Sequence, residues 1–148
     1  MTLLSDNATR TGVAGRIPAI PPLPADVEFI LSALEAGQFS GTTRRKQDRR
    51  PYRVAAKLKL FSDTPHADPW TLYTRDASHQ GLGFVTRHRL PLGYGGIITL
   101  LTPQGREVKI DCTLLRCREA VTGWFEGSMY FNREQPGFHP DFLEVTHT

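Results

Sequence analysis

Two short segments of the chain carry side chains whose types and spacing could bind a ligand. The first contains Arg49 and Arg53, an R-x-x-x-R pair at the end of a basic run. In an extended chain, residues four apart lie on one side at about 13 Å, so two guanidinium groups could hold one ligand at two points. Guanidinium binds phosphate in a bidentate manner, stacks on aromatic rings and matches the O6 and N7 acceptors of guanine.

The second segment begins at Asp76 and reads Asp-Ala-Ser-His-Gln-Gly. A carboxylate accepts two hydrogen bonds side by side, and guanine offers its N1–H and its N2 amine as such a donor pair. Ser78 adds a hydroxyl, and Gly81 lets the backbone turn closely around a bound group. Each segment also has a plainer interpretation: an arginine pair in a basic run is often a solvated surface, and an Asp-x-Ser sequence often bonds its own backbone.

The charge of the chain is concentrated around the first segment. Residues 44–53 hold six basic side chains and one acidic one, whereas residues 54–148 hold ten of each. Like charges packed so closely repel, so we expect this segment to be exposed and mobile until an anion joins it. Arg50 lies between the two motif arginines. Arg45 and Arg49 offer a second R-x-x-x-R register, but the strand that starts at Val54 favours Arg49 and Arg53.

An amphipathic helix is predicted before the basic segment. Residues 1–22 are polar and then proline-rich, which indicates a flexible lead-in. Within residues 25–36, Val27, Ile30 and Leu31 begin an apolar stripe with helical spacing that Leu34 continues. Acidic residues suit the start of this helix, and Gly37 suits its end.

After the basic segment the hydrophobic period changes to two. Alternation over residues 54–60 predicts a half-buried strand. Further strands are predicted over residues 70–74, 81–86, 96–101, 107–118 and 124–131, and a short helix over residues 140–145. Six short strands without intervening helices indicate an antiparallel sandwich or barrel.

Several classes of function are disfavoured by the sequence. It has no phosphate-binding loop of the Walker type, no His-Glu-x-x-His and no run of about 18 apolar residues that could span a membrane. The N-terminus lacks the pattern of a secretion signal. Cys112 and Cys117 are five apart on one predicted strand, so we expect them on opposite faces, as packing residues or weakly exposed thiols. No enzyme is indicated.

Taken together and in this order, the two segments resemble the PilZ domain, a bacterial receptor for cyclic di-GMP. That family has R-x-x-x-R just before the first barrel strand and [D/N]-x-S-x-x-G about 20 to 30 residues later. Here Arg49 and Arg53 fit the first motif, and Asp76, Ser78 and Gly81 fit the second. The resemblance covers roughly residues 44–135, including Gly-Leu-Gly-Phe from residue 81 and Gly-Ser-Met-Tyr-Phe from residue 127.

The resemblance implies a mainly β fold, a six-stranded antiparallel barrel with a flanking N-terminal helix and a short C-terminal helix. Residues 1–22 would then be the lead-in, 23–43 the helix and linker, 44–145 the PilZ domain and 146–148 a tail. It also implies a cytoplasmic, non-catalytic protein without a cofactor, which binds cyclic di-GMP and acts on a further protein.

Roles for single residues come from the same resemblance. Arg49 and Arg53 would bind phosphates and guanine edges. Asp76 would accept hydrogen bonds from a guanine, Ser78 would contact the ligand and Gly81 would shape the turn. The secondary and more distant candidates are Arg50, Arg45, Arg75 and Trp124. Asp48 occupies a position where members that bind a stacked ligand dimer often have another arginine, which leaves one or two ligands open.

Two other functions compete with the receptor interpretation. A PilZ barrel can act as a ligand-independent adaptor, but such members typically lose the motif residues that this chain keeps. A basic β-barrel could bind nucleic acid, but that requires basic and aromatic residues spread over an open sheet, and the predicted strands here are neutral as a group. We therefore expect cyclic di-GMP, rather than a nucleic acid, as the partner.

Overall fold

This computed structural model describes residues 21–37, 49–121, 123–139 and 142–143. Its elements are helix α1 (Ala25–Gly37), strands β1 (Arg50–Pro51), β2 (Ala55–Leu60), β3 (Trp70–Ser78), β4 (Gly81–Thr86), β5 (Gly95–Leu101), β6 (Glu107–Val121) and β7 (Trp124–Phe131), and a 3-10 helix (Pro136–Phe138). Within the predicted C-terminal helix only residues 142–143 are described, and both are helical.

Six of the strands form a closed antiparallel barrel. Around the barrel the order is β2, β5, β6, β7, β4 and β3, and pairing between β2 and β3 closes it. The two-residue strand β1 lies outside this ring and pairs antiparallel with β3. The predicted six-stranded barrel is confirmed, and β1 is an element that the sequence did not indicate.

The barrel interior is filled by the alternate apolar residues of each strand. Strand β2 shows the alternation that its sequence predicts, with Ala56, Leu58 and Leu60 buried. Strand β4 differs, because all six of its residues are buried. The larger side chains fully buried in this core include Leu58, Leu72, Leu82, Phe84, Ile98, Leu114 and Met129.

Helix α1 covers β4 on its outer face at Val85. Its Val27, Ile30 and Leu31 form a second apolar cluster with Val85 and Trp124, separate from the barrel interior. The predicted apolar stripe is therefore the face that the helix buries against the barrel. Burial of such aliphatic side chains stabilises a docked helix by about 1.5–3 kcal/mol each.

The described strand pairings contain three register shifts, and two of them bear on residues that the sequence singles out. In β3 the register shifts between Thr74 and Asp76, and in β6 it shifts between Leu114 and Arg116. The β6 bulge inserts one residue between the cysteines, so Cys112 and Cys117 both belong to the barrel core. The expectation that they lie on opposite faces was wrong, because it assumed unbroken alternation. Burial raises the pKa of the Cys112 thiol to about 12, an effect to which neighbouring Asp111 adds.

Strand β3 is longer than its sequence suggests. It continues through Ser78, so Asp76 and Ser78 are strand residues and the turn to β4 consists of His79 and Gln80. The predicted strand over residues 70–74 was therefore too short, and it left Asp76 and Ser78 between two strands. The bulge before Asp76 and the pairing with β1 extend the strand past the point where its apolar alternation ends.

Candidate ligand-binding site

The segment Arg49–Arg53 is held against the barrel by Tyr52, which lies between its two terminal arginines. The Tyr52 hydroxyl donates a hydrogen bond to the carbonyl oxygen of Leu101 (2.6 Å), and its ring packs edge-on against Phe138. Its backbone N–H donates to the carbonyl oxygen of Arg75 (3.0 Å). Burial raises the pKa of Tyr52 well above its ordinary value, so the phenol remains a donor at neutral pH. The described part of the basic segment therefore contacts the barrel, while residues 44–48 lie outside the described residues.

Asp76 is the acidic partner of the first motif arginine. Arg49 Nη1 lies 3.0 Å from Asp76 Oδ1, and the backbone N–H of Gly83 donates to the same oxygen at 3.0 Å. Gly83 permits this approach because a Cβ there would lie 2.9 Å from Asp76 Oδ1 and 3.4 Å from Arg49 Nη1. The side chains of Arg49 and Asp76 are 21% and 29% exposed, so a ligand can reach both.

Arg53, the second motif arginine, is paired with helix α1. Its Nη1 lies 3.1 Å from Glu28 Oε1, and its Nη2 lies 2.7 Å from Glu35 Oε1. The Arg53 side chain is 28% exposed, while the side chains of Glu28 and Glu35 are 49% and 61% exposed. Each of the two arginines of the motif is thus already bound to carboxylate, Arg49 on the barrel side and Arg53 on the helix side.

The two motifs meet at one cavity of about 190 Å³ between helix α1 and the barrel. It is lined by Leu31, Glu35, Arg49, Pro51, Arg53, Arg75 and Asp76. Of the residues predicted from sequence as principal contacts, the structure brings Arg49, Arg53 and Asp76 together here. Three guanidinium groups and two carboxylates therefore face one small cavity, which offers hydrogen-bond donors to an anion and acceptors to a donor edge.

Arg75 belongs to a charged network beside this cavity. Its Nη1 lies 2.6 Å from Glu126 Oε1, and Arg118 donates from Nε (3.1 Å) and Nη2 (3.0 Å) to Glu126 Oε2. Glu126 is buried, and two guanidinium groups offset the cost of its desolvation. This network fixes Arg75 at the cavity wall. The sequence does not indicate that Glu126 lies beside Arg75, because the two residues belong to strands that are far apart along the chain.

The remaining predicted residues lie elsewhere. The buried Ser78 hydroxyl accepts a hydrogen bond from the Gln80 N–H (3.0 Å), so it is used within the turn. Gly81 is a strand residue, and a Cβ there would overlap the carbonyl oxygen of Met129, so close strand packing requires this glycine. Arg50 stands in β1 in register with Ala77. Arg45 lies outside the described residues.

Other kinds of site receive no support from the described part of the chain. No group of three or more His, Cys, Asp or Glu side chains there could hold a metal ion. Within the same ranges, no helix is long and apolar enough to cross a membrane. Leu31, Glu28 and Glu35 are the site neighbours that the sequence did not reveal, because only the docking of α1 brings them to Arg53.

Comparison with known proteins identifies the family of this chain. Residues 43–138 match the family model described as the PilZ domain. No curated protein sequence matches significantly. Among solved structures, that of the Bacillus subtilis inhibitor of motility MotI/DgrA aligns with a TM-score of 0.52 at 11% identity, over 72% of this chain and 51% of that chain. The present chain therefore spans about half the length of that structure.

A second solved structure is the PilZ domain of CeSA from a cellulose-synthesizing bacterium. It aligns with a TM-score of 0.45 at 14% identity, over 68% of this chain and 96% of that one. The family match covers well over half of the 148 residues and includes both motifs and the seven strands of the described residues. The chain is therefore a member of the PilZ domain family.

Proposed function

We propose that this protein is a non-catalytic receptor for cyclic di-GMP. The observation that carries the proposal is the meeting of Arg49, Arg53 and Asp76 at one cavity on the outside of the barrel. These residues come from two motifs that are separated along the chain, so their convergence is a property of the fold. The family membership supports the same ligand class.

The chemistry of the cavity fits the two kinds of group that the ligand presents. Each guanidinium can bind a phosphate through two parallel hydrogen bonds or stack on a guanine face. The Asp76 carboxylate can accept from N1–H and N2–H of a guanine edge. Because the Gly83 N–H donates a hydrogen bond to Oδ1 of Asp76, this carboxylate is oriented before the ligand binds. Arg49 would then exchange its ion pair with Asp76 for a phosphate.

The proposal includes ligand-driven ordering of the basic N-terminal segment. Two phosphates neutralise the repulsion among the side chains of residues 44–53, and the segment then folds onto the barrel in the bound state. Tyr52 already fixes residues 49–53, so the ordering concerns residues 44–48, including Arg45. The signal then passes to a protein partner in the bacterial cytoplasm.

Isothermal titration calorimetry with cyclic di-GMP tests the receptor function. Wild type is compared with Arg49→Ala, Asp76→Ala and the control Arg106→Ala, which removes an exposed arginine from the β5–β6 loop. Each charge-assisted hydrogen bond contributes about 1.5–3 kcal/mol, so we expect the first two variants to bind about tenfold more weakly or worse. The control should bind like wild type.

Two results of binding experiments would overturn the receptor function. If the folded wild type shows no saturable binding, the chain is better described as a ligand-independent adaptor. If a polynucleotide binds with steep salt dependence while cyclic di-GMP does not, a nucleic-acid function takes its place. Limited proteolysis of residues 44–48, with and without saturating ligand, tests the ordering step, and equal cleavage rates would refute it.

A further inference from the structure

Helix α1 presents its acidic residues in two directions. Asp26 lies near its N-terminus and pairs with Arg87 (3.4 Å), on the side away from the motif arginines. Glu28 and Glu35 both reach the guanidinium of Arg53, at 3.1 and 2.7 Å. Of these three carboxylates on α1, Glu28 and Glu35 contact an arginine of the ligand-binding motif, whereas Asp26 contacts Arg87.

The contact of α1 with the motif occurs inside the cavity itself. Glu35 and Leu31 belong to the cavity wall together with Arg49, Arg53 and Asp76. Leu31 is fully buried against the barrel, which holds this part of the helix in place. A phosphate that binds the same face of the Arg53 guanidinium must therefore displace carboxylates that the fold has positioned there.

We propose that Glu28 and Glu35 act as an intramolecular competitor for cyclic di-GMP. Their carboxylates occupy Arg53 in place of a phosphate, and ligand binding exchanges one anion for the other. The proposal rests on the proposed receptor function and adds to it a means by which the N-terminal helix regulates the site. The helix lowers the affinity of the site, and the bound ligand loosens the last turn of the helix, which carries Glu35.

The two effects are linked by thermodynamic reciprocity. If the docked carboxylates weaken ligand binding by some factor, the ligand weakens their docking by the same factor. Both ion pairs are partly exposed, so each contributes modestly. Removal of both should tighten ligand binding about threefold to tenfold. The apolar contacts of Val27 and Ile30 keep the N-terminal half of α1 docked in either state.

Calorimetry with cyclic di-GMP on full-length variants tests the competition. Glu35→Gln is compared with Asp26→Asn, because each removes one negative charge from α1. Of these two residues, Glu35 contacts Arg53 and Asp26 does not. We expect tighter binding for Glu35→Gln, still tighter binding for Glu28→Gln/Glu35→Gln, and wild-type affinity for Asp26→Asn. All three sites are exposed, so the variants should fold normally, which circular dichroism verifies.

The possible outcomes separate this inference from the receptor function. Equal binding by wild type and the double variant would overturn the competition and leave the receptor intact. Equal tightening by Asp26→Asn and Glu35→Gln would also overturn it, because the effect would then be one of overall charge. An absence of binding in every variant would overturn the receptor function and the competition together.

Hydrogen exchange gives a second and independent readout. Ligands usually slow the exchange of amides near their site, but competition predicts faster exchange in the last turn of α1 when cyclic di-GMP saturates the protein. The barrel amides around Asp76 should exchange more slowly in the same experiment. Unchanged or slower exchange in α1, with clear protection around Asp76, would contradict the competition while supporting ligand binding.

Discussion

Helix α1 has a cavity beside each end, and the two cavities hold their arginines differently. Near its N-terminus, in a cavity of about 310 Å³, the Arg87 guanidinium lies over the Trp124 ring at 4.4 Å and pairs with Asp26. In the cavity of about 190 Å³ beside Glu35, Arg53 is held by two carboxylates. Of the described cavities, the larger is therefore not the better candidate for an anionic ligand.

The difference shows how a fold separates a structural arginine from a binding one. A guanidinium stacked on an indole ring keeps that contact whichever anion is present. A guanidinium held by exposed carboxylates can exchange them for a phosphate, because exposed ion pairs are weak and a bidentate phosphate contact is stronger. Arg53 also has Arg49 and Arg75 beside it, whereas the N-terminal cavity is lined by the single arginine Arg87.

The largest expected effect tests the structural role of the N-terminal cavity. Trp124→Ala removes a buried indole from beneath α1 and should lower the free energy of unfolding by about 3–5 kcal/mol. Urea unfolding monitored by circular dichroism measures this loss, with Trp124→Phe as a milder variant. Below the unfolding transition, Trp124→Ala should still bind cyclic di-GMP. A loss of binding larger than that of Arg53→Ala would assign the ligand to the larger cavity and break the comparison.

The second prediction compares the two arginines directly. Arg53→Ala should weaken cyclic di-GMP binding about tenfold or more, whereas Arg87→Ala should change it less than about twofold. Arg53→Lys should fall between wild type and Arg53→Ala, because an ammonium keeps the charge but loses the bidentate fork. Calorimetry measures all three. Similar losses for Arg53→Ala and Arg87→Ala would mean that overall charge, rather than position, determines binding.

The third prediction concerns Gly83, which contacts Asp76 of the smaller cavity. In Gly83→Ala the new Cβ would lie 2.9 Å from Asp76 Oδ1, so the carboxylate must shift from the Gly83 N–H and from Arg49. We expect cyclic di-GMP binding to weaken about fivefold, which corresponds to about 1 kcal/mol. Gly95→Ala is the matched control, because its Cβ meets only the exposed ring of Phe61 within 3.4 Å. Equal affinity for both variants would show that Asp76 needs no fixed orientation.

Much of the barrel could be predicted from the sequence because its signals are local. The period-two pattern of residues 54–60 and the apolar stripe of residues 25–36 place β2 and α1 within one residue of their observed limits. The R-x-x-x-R and D-x-S-x-x-G motifs identify three residues that do meet at the cavity. These features depend on neighbours along the chain, which a sequence displays directly.

The features that escaped prediction depend on contacts across the fold. A bulge such as the one at Leu115 has no local signature, yet it moves Cys117 onto the same face as Cys112. The bulge in β3 and the pairing with β1 likewise place Asp76 in a strand. The carboxylates on Arg53 come from a helix whose position is set by apolar packing, so the sequence shows the acids without their partner.

The smallest expected effect concerns Ser78, which the family motif includes but the cavity lining does not. Its buried hydroxyl accepts a hydrogen bond from the Gln80 N–H and lies 3.5 Å from the carbonyl oxygen of Gly81. Ser78→Ala should therefore lower the free energy of unfolding by about 0.5–1.5 kcal/mol, the contribution of one neutral hydrogen bond, and leave ligand affinity within about twofold. Urea unfolding and calorimetry on the same preparation separate the two quantities. If affinity fell tenfold while stability stayed unchanged, the hydroxyl would be a direct ligand contact, and the site would have to extend from Asp76 past the end of β3 into the turn.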